Sequence, residues 1–214
     1  MMNFLDPVLL SGILLLWISL SVHEWAHARA AYALGDDTAK MLGRMTLDPL
    51  AHIDWIGTFL LPLLGVPFGW AKPVPINPTR FRRGVNMDYG MMLTAAAGPA
   101  SNVVLAAVFL ATFGLIWRVA PGLAEGMTGE VVARGMLLNV MLAIFNILPI
   151  PPLDGSRVAA YVMPDALKPF WYSIERAGIM VPFLFMFGLR MVGIDLFYPF
   201  QMAAIDLLRA VIPG

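Results

Sequence analysis

Charged residues are absent from long stretches of this chain, and those stretches predict its elements. From Pro7 to Val22 there is no charged side chain, and the apolar character continues to Leu34. At 1.5 Å rise per residue, a helix over Val8–Leu34 is long enough to cross a bilayer. Gly35 followed by Asp36 and Asp37 supplies its stop, since glycine commonly ends a helix. Met91–Trp117 is wholly uncharged and is the clearest span, and Val131–Ile150 predicts another that closes on Pro149, Pro151 and Pro152. Trp55–Trp70 is uncharged but marginal in length and contains Pro62, Gly65 and Pro67, so a re-entrant or short broken helix fits as well as a full crossing. Ala177–Val192 predicts a weaker fifth span. Leu196–Ile212 carries one apolar stripe (Leu196, Phe200, Ala203, Leu207, Val211) and fits either a sixth span or a helix lying on the surface.

The segments between are polar or punctuated by proline. Thr38–Leu50 is mixed and suits strand or loop at the interface, and Gly69–Pro78 carries too many prolines to be helical. Arg80, Arg82 and Arg83 form a basic cluster that suits a topology anchor at anionic headgroups. The stretch from Asp154 to Tyr172 reads as interfacial. Ala95–Asn102 is rich in small residues, which lets helices approach closely in lipid. The expected fold is an all-α polytopic membrane protein with about five to six transmembrane or re-entrant helices and a small extended, β-like interfacial segment. We expect one domain over residues 1–214, with a core over about 8–157 and C-terminal helices over about 177–212.

Composition strengthens this reading. The chain is 59% hydrophobic and 13% charged, against about 25% charged in a soluble domain, and its mean hydropathy is +0.76. Such a chain cannot cover a water-facing surface. Net charge is zero and there is no basic stripe, so no nucleic-acid partner is expected; membrane lipid is the expected surroundings. Cysteine is absent, which excludes disulfides and thiolate chemistry. The first apolar run lacks a basic flank and a small-residue cleavage site and reads as a retained span rather than a signal peptide. With Trp55–Trp70 re-entrant, Lys40, Arg44, Lys72, Arg80, Arg82 and Arg83 share one side, joined by Arg157, Lys168 and Arg176, while Arg118 and Arg134 lie opposite. The positive-inside rule makes the crowded side cytoplasmic, and the expected location is the plasma (inner) membrane.

Against this apolar background the pentapeptide His23-Glu24-Trp25-Ala26-His27 stands out. Ionisable groups at membrane depth are costly and need a reason. On a helix, residues i and i+4 share a face, so His23 and His27 can grip one metal ion with the Glu24 carboxylate beside it. A catalytic zinc takes three protein ligands and keeps one open position. Asp154, set between Pro152 and Gly155 where a helix ends, is the outstanding third candidate; Asp36, Asp37, Asp165 and Glu175 lie in ordinary polar context. Asn146 and Asn102, amides on apolar helices, are candidates to hold substrate backbone or a developing oxyanion, or else to bond helix to helix. Asn139 reads as packing glue, and His52, beside Pro49 and Asp54, as a structural hydrogen-bonding residue. The fifteen methionines are scattered filler rather than a copper site.

Three ordered motifs, His23-Glu24-x-x-His27, Gly98-Pro99-x-x-Asn102 and Asn146-x-x-Pro-x-Pro-x-Leu-Asp154-Gly155, together resemble the site-2 protease family of intramembrane metalloproteases. Gly43–Asp54 and Gly69–Asn77 resemble its small, compact branch, which lacks PDZ and CBS domains. Asp48 stands where such relatives often have Asn, and Trp55 where they often have Pro. The resemblance implies one zinc ion held by His23, His27 and Asp154, with Glu24 as catalytic base. It implies an endopeptidase acting on transmembrane or signal-anchor segments of other proteins, its site toward the cytoplasmic side. The residues alone leave room for a divalent-metal transporter, which also lines its path with histidine and carboxylate, and for an inactive scaffold of the same fold.

Overall fold

The computed structural model describes residues 7–60, 63–64 and 70–212. Long helices form where the uncharged runs are. The first, α1, is Pro7–Leu34. It stops at Gly35, whose φ of +112° is closed to most L side chains and whose missing Cβ lets the Arg82 backbone come close. The Arg82 N–H then bonds the Leu34 carbonyl at 2.8 Å, one of the carbonyls that a helix end leaves without an intrahelical partner. The second long helix, α2, is Met87–Val119. It begins four residues before the uncharged run because Asn86 caps it, its side chain accepting from the Tyr89 N–H at 3.0 Å. The third, α3, is Met127–Ile147.

Shorter helices follow the proline cluster: α4, Asp154–Val162; α5, Lys168–Glu175; α6, Met180–Met191; and α7, Tyr198–Ala210. Helix α2 is central, packing on α1, α3, α4 and α7. Its contact with α3 and α7 is an apolar core of Ala106, Phe113, Met136, Ala204 and Leu208. Many large apolar side chains stay exposed, among them Leu14, Ile18, Val103, Val104, Val108 and Leu115, as a lipid-facing surface requires.

The expected spans are found in part. Among the described residues α1, α2 and α3 are long and apolar enough to cross, and a fourth crossing exists only if the pair ending in α6 counts as one bent span. That pair, Asp165–Glu175 and Met180–Met191, is bent by 88°. Ala177–Val192 therefore does not make a straight fifth span: Gly178, at φ +63°, turns the chain inside the apolar run. Helix α6 has only 12 residues, about 18 Å at helical rise. Helix α7, with 13 residues, is also too short to cross.

The Trp55–Trp70 segment starts as a π-helix over Trp55–Leu60. Its interior, including Pro62, Gly65 and Pro67, lies outside the described residues, but its ends meet. The Thr58 hydroxyl donates to the Trp70 carbonyl at 2.7 Å, and the Trp17 indole on α1 donates to the Thr58 carbonyl at 2.9 Å. The described ends of the segment thus lie together beside α1. Beyond it, Lys72–Asn77 has no helix and no strand. Its amides find partners elsewhere: Lys72 N–H on the His52 carbonyl at 3.0 Å and Asn77 N–H on Asp36 Oδ2 at 2.6 Å. The expected β-like segment therefore has no strand partner among the described residues.

Candidate metal centre

Three helices deliver the site. His23 and His27 lie one turn apart on α1, and Asp154 is the first residue of α4. Asp154 gets there because α4 begins hard against the end of α3: a Cβ on Gly155 would lie 2.1 Å from the Ile147 carbonyl oxygen, so only glycine permits this start. Opposite, Gly98 on α2 sits flush against both imidazoles, with an imagined Cβ 2.4 Å from His27 Cε1 and Nε2 and 2.6 Å from His23 Cε1. Both histidines are buried.

Hydrogen bonds behind the rings decide what each ring presents. His27 Nδ1 is 2.7 Å from the Thr94 carbonyl, which can only accept. His23 Nδ1 is 2.6 Å from Asn102 Oδ1. Each Nδ1 therefore carries a hydrogen, which leaves Nε2 as the ring nitrogen turned forward to offer its lone pair to a metal. The two Nε2 atoms are 3.0 Å apart. Asp154 Oδ2 lies 3.1 Å from that of His23 and 3.3 Å from that of His27. It is buried, with the two ring nitrogens as its nearest polar neighbours. Three potential ligand atoms, two ring nitrogens and a carboxylate oxygen, thus face one another.

That arrangement fits a cation. Among the described residues it is the one His, Cys, Asp or Glu group that could hold a metal ion. Zinc bonded to nitrogen at about 2.0–2.1 Å in a tetrahedron separates its ligands by about 3.3 Å, close to the spacing here. Two imidazoles and a carboxylate are also a donor set that catalytic zinc takes, with the fourth position left open.

Glu24 faces the same cleft, buried, and its Oε2 accepts from the Val74 N–H at 2.7 Å. The cleft, about 380 Å³, is lined by Leu20, Trp70, Pro73, Val74, Asn146 and Arg157 besides the four site residues. Asn146 reaches it with one amide hydrogen already given to the Leu142 carbonyl at 3.0 Å. Arg157 is paired with Glu175 of α5.

Asn102 and Asn139 bond helix to helix, the alternative that the chain left open for Asn102 and the reading it gave Asn139. Asn102 does not line the cleft: it is fully buried behind His23 and bonds its Nδ1. Asn139 donates to Ser19 and to the Gly135 carbonyl while accepting from Asn102. The one signal for it was its place two turns before Asn146 on the same face of α3. His52 is also buried, bonded through Nε2 to the Thr46 carbonyl at 2.9 Å and apart from the metal-binding group.

Comparison with known proteins places the chain among relatives named as metalloproteases. Residues 122–189 match peptidase family M50; that stretch contains Asp154 but not the two histidines. The chain is 39% identical to YwhC of Bacillus subtilis, named as a zinc metalloprotease, over 82% of this chain and 78% of that protein. It is 30% identical to Rip2 of Mycobacterium tuberculosis, which bears the same kind of name, over 85% of this chain and 70% of that one. A third relative so named, MJ0611 of Methanocaldococcus jannaschii, is 37% identical over 43% of this chain and 42% of its own length. No solved structure matches the chain.

Proposed function

The chain belongs to peptidase family M50, the site-2 protease family of zinc metalloproteases, and from that premise we propose that it hydrolyses peptide bonds within or beside transmembrane segments of other membrane proteins. The observation that carries the proposal is the buried convergence of His23 Nε2 and His27 Nε2, on the membrane-length helix α1, with Asp154 Oδ2 from the start of α4, and Glu24 beside them. His23 stands about 24 Å along α1 from its first residue, deep in an apolar helix where a soluble substrate has no reason to go.

His23, His27 and Asp154 would hold the zinc ion, which would supply an acidified water and a polarised scissile carbonyl. Glu24 takes the proton from the attacking water and returns it to the leaving amine. The Val74 N–H holds one of its oxygens, which fixes the other in direction and keeps the carboxylate from swinging into the ligand set. Asn146, which keeps a donor and an acceptor beyond its bond to Leu142, is placed to hold substrate backbone or the developing oxyanion. Helical backbone has its carbonyls and amides tied internally, so a substrate must unwind locally before the cleft can take it.

The site faces the cytoplasm in this proposal. Because the described ends of the Trp55–Trp70 segment lie together, Lys40, Arg44, Lys72, Arg80, Arg82 and Arg83 all fall at one end of the helices. Lys168 joins them, held 2.7 Å from Asp88 at the start of α2. Arg118 and Arg134 stand at the other end, and the excess marks the cytoplasmic side of an inner membrane.

The test is cleavage of a single-span substrate by protein reconstituted in bilayers, with zinc measured on the same samples. Glu24→Gln should keep stoichiometric zinc and lose roughly 10²–10⁴-fold in rate. Wild-type protein that folds but holds no zinc, or His23→Ala that holds it as tightly, overturns the proposal.

A further inference from the structure

Three buried polar side chains outside the cleft line up behind His23: Asn102 on α2, Asn139 on α3 and Ser19 on α1, each fully buried. Their hydrogen bonds have one possible direction. Asn139 Nδ2 lies 2.8 Å from the Gly135 carbonyl, a group that can only accept, so the amide nitrogen must face that way. The same nitrogen donates to Ser19 Oγ at 2.9 Å. Asn139 Oδ1 is thereby turned to Asn102, whose Nδ2 donates to it at 2.9 Å. Asn102 then has only its oxygen left for His23 Nδ1, 2.6 Å away.

An asparagine on its own is indifferent to this choice. Turned over, Asn102 would offer N–H to His23, which would put the ring's hydrogen on Nε2 and close that nitrogen to a metal. We infer that Asn139 is a positioning residue for zinc binding: through Asn102 it holds His23 in the tautomer whose Nε2 faces the metal. The ultimate reference is a backbone carbonyl, at Gly135, which no side-chain rotation can reverse. This rests on the reading of His23 as a zinc ligand.

The experiment is a double-mutant comparison in detergent-purified protein, reading zinc affinity by competition with a chelator and the visible absorption of the cobalt-substituted form. Asn139→Leu keeps the volume and removes the acceptor that orients Asn102. It should weaken zinc by about tenfold or more, the usual effect of losing an outer-shell partner. In an Asn102→Asp background the same change should cost less than about threefold, because a carboxylate has no N–H to present and needs no orienting. Ser19→Ala should leave zinc affinity unchanged, since Gly135 still sets the direction. Where the leucine variant does not purify, Asn139→Ala replaces it in both backgrounds.

A loss that is equal in the two backgrounds means that Asn139 merely joins helices, and overturns the inference. So does zinc affinity that stays at the wild-type value in Asn139→Leu. Failure of the ligand assignment itself is separate: it shows as undiminished zinc in His23→Ala, whatever position 139 does.

Discussion

Gly98→Ala is the sharpest single perturbation of the site. The added Cβ would lie 2.4 Å from His27 Cε1 and Nε2 and 2.6 Å from His23 Cε1, where ordinary contact begins at 3.4 Å. Either both rings retreat by about 1 Å or α1 and α2 part by as much. The rings cannot retreat without loss, because they are tethered from behind at 2.7 Å to Thr94 and 2.6 Å to Asn102. A shift of about 1 Å changes those lengths or angles enough that neither remains a hydrogen bond. Each outer-shell bond of this kind is worth about 10–100-fold in metal affinity, so losing both predicts at least a hundredfold weaker zinc, about 2.7 kcal/mol. Chelator competition on the purified variant measures this directly, with circular dichroism to show that the helices persist. Zinc affinity within about threefold of wild type, in a folded protein, would refute the idea that α2 presses the two ligands into place.

Other substitutions test other joints. Gly155→Ala places a Cβ 2.1 Å from the Ile147 carbonyl oxygen and must push α4 off α3. It should lower the melting temperature and release zinc together, because Asp154 moves with the helix start, and a variant that melts early yet binds zinc normally would contradict this. Asp36→Asn replaces a buried carboxylate that accepts from Thr38 N–H, Thr38 Oγ and Asn77 N–H. One acceptor becomes a donor facing a donor, at a cost of about 1–3 kcal/mol. The loss should appear as faster proteolysis in the 72–77 segment and a raised KM, with zinc affinity intact. Thr58→Val deletes the hydroxyl that receives the Asp54 N–H and donates to the Trp70 carbonyl. Faster cleavage by added protease between residues 54 and 70 is the expected result.

The three long helices were legible in the chain because a long, predominantly apolar run has one stable solution in lipid, a helix that bonds its own backbone. The C-terminal third was not. Hydropathy over Ala177–Val192 sums to a span, yet Gly178 turns the chain and leaves a bent pair with α6 only 12 residues long. Summed apolarity carries no record of a turn at a single residue. The re-entrant alternative for Trp55–Trp70 could be stated from its prolines and length, but the choice rests on Thr58 reaching Trp70.

For the site, the sequence by itself determined what depends on local spacing. His23 and His27 share a face because a helix repeats every 3.6 residues, and Glu24 must lie beside them whatever the rest of the chain does. Asp154 stood out as a carboxylate at a helix break, although only the packing of α4 against α3 brings its oxygen to 3.1 Å from His23. What tertiary structure alone decided is the work of the asparagines. An amide both donates and accepts, so its role belongs to whatever it faces. Asn102, legible as a group for substrate or as a bond between helices, turns its oxygen to His23 because Asn139 and the Gly135 carbonyl leave it no other orientation. That direction is set where α1, α2 and α3 meet, and no local pattern in the chain encodes it.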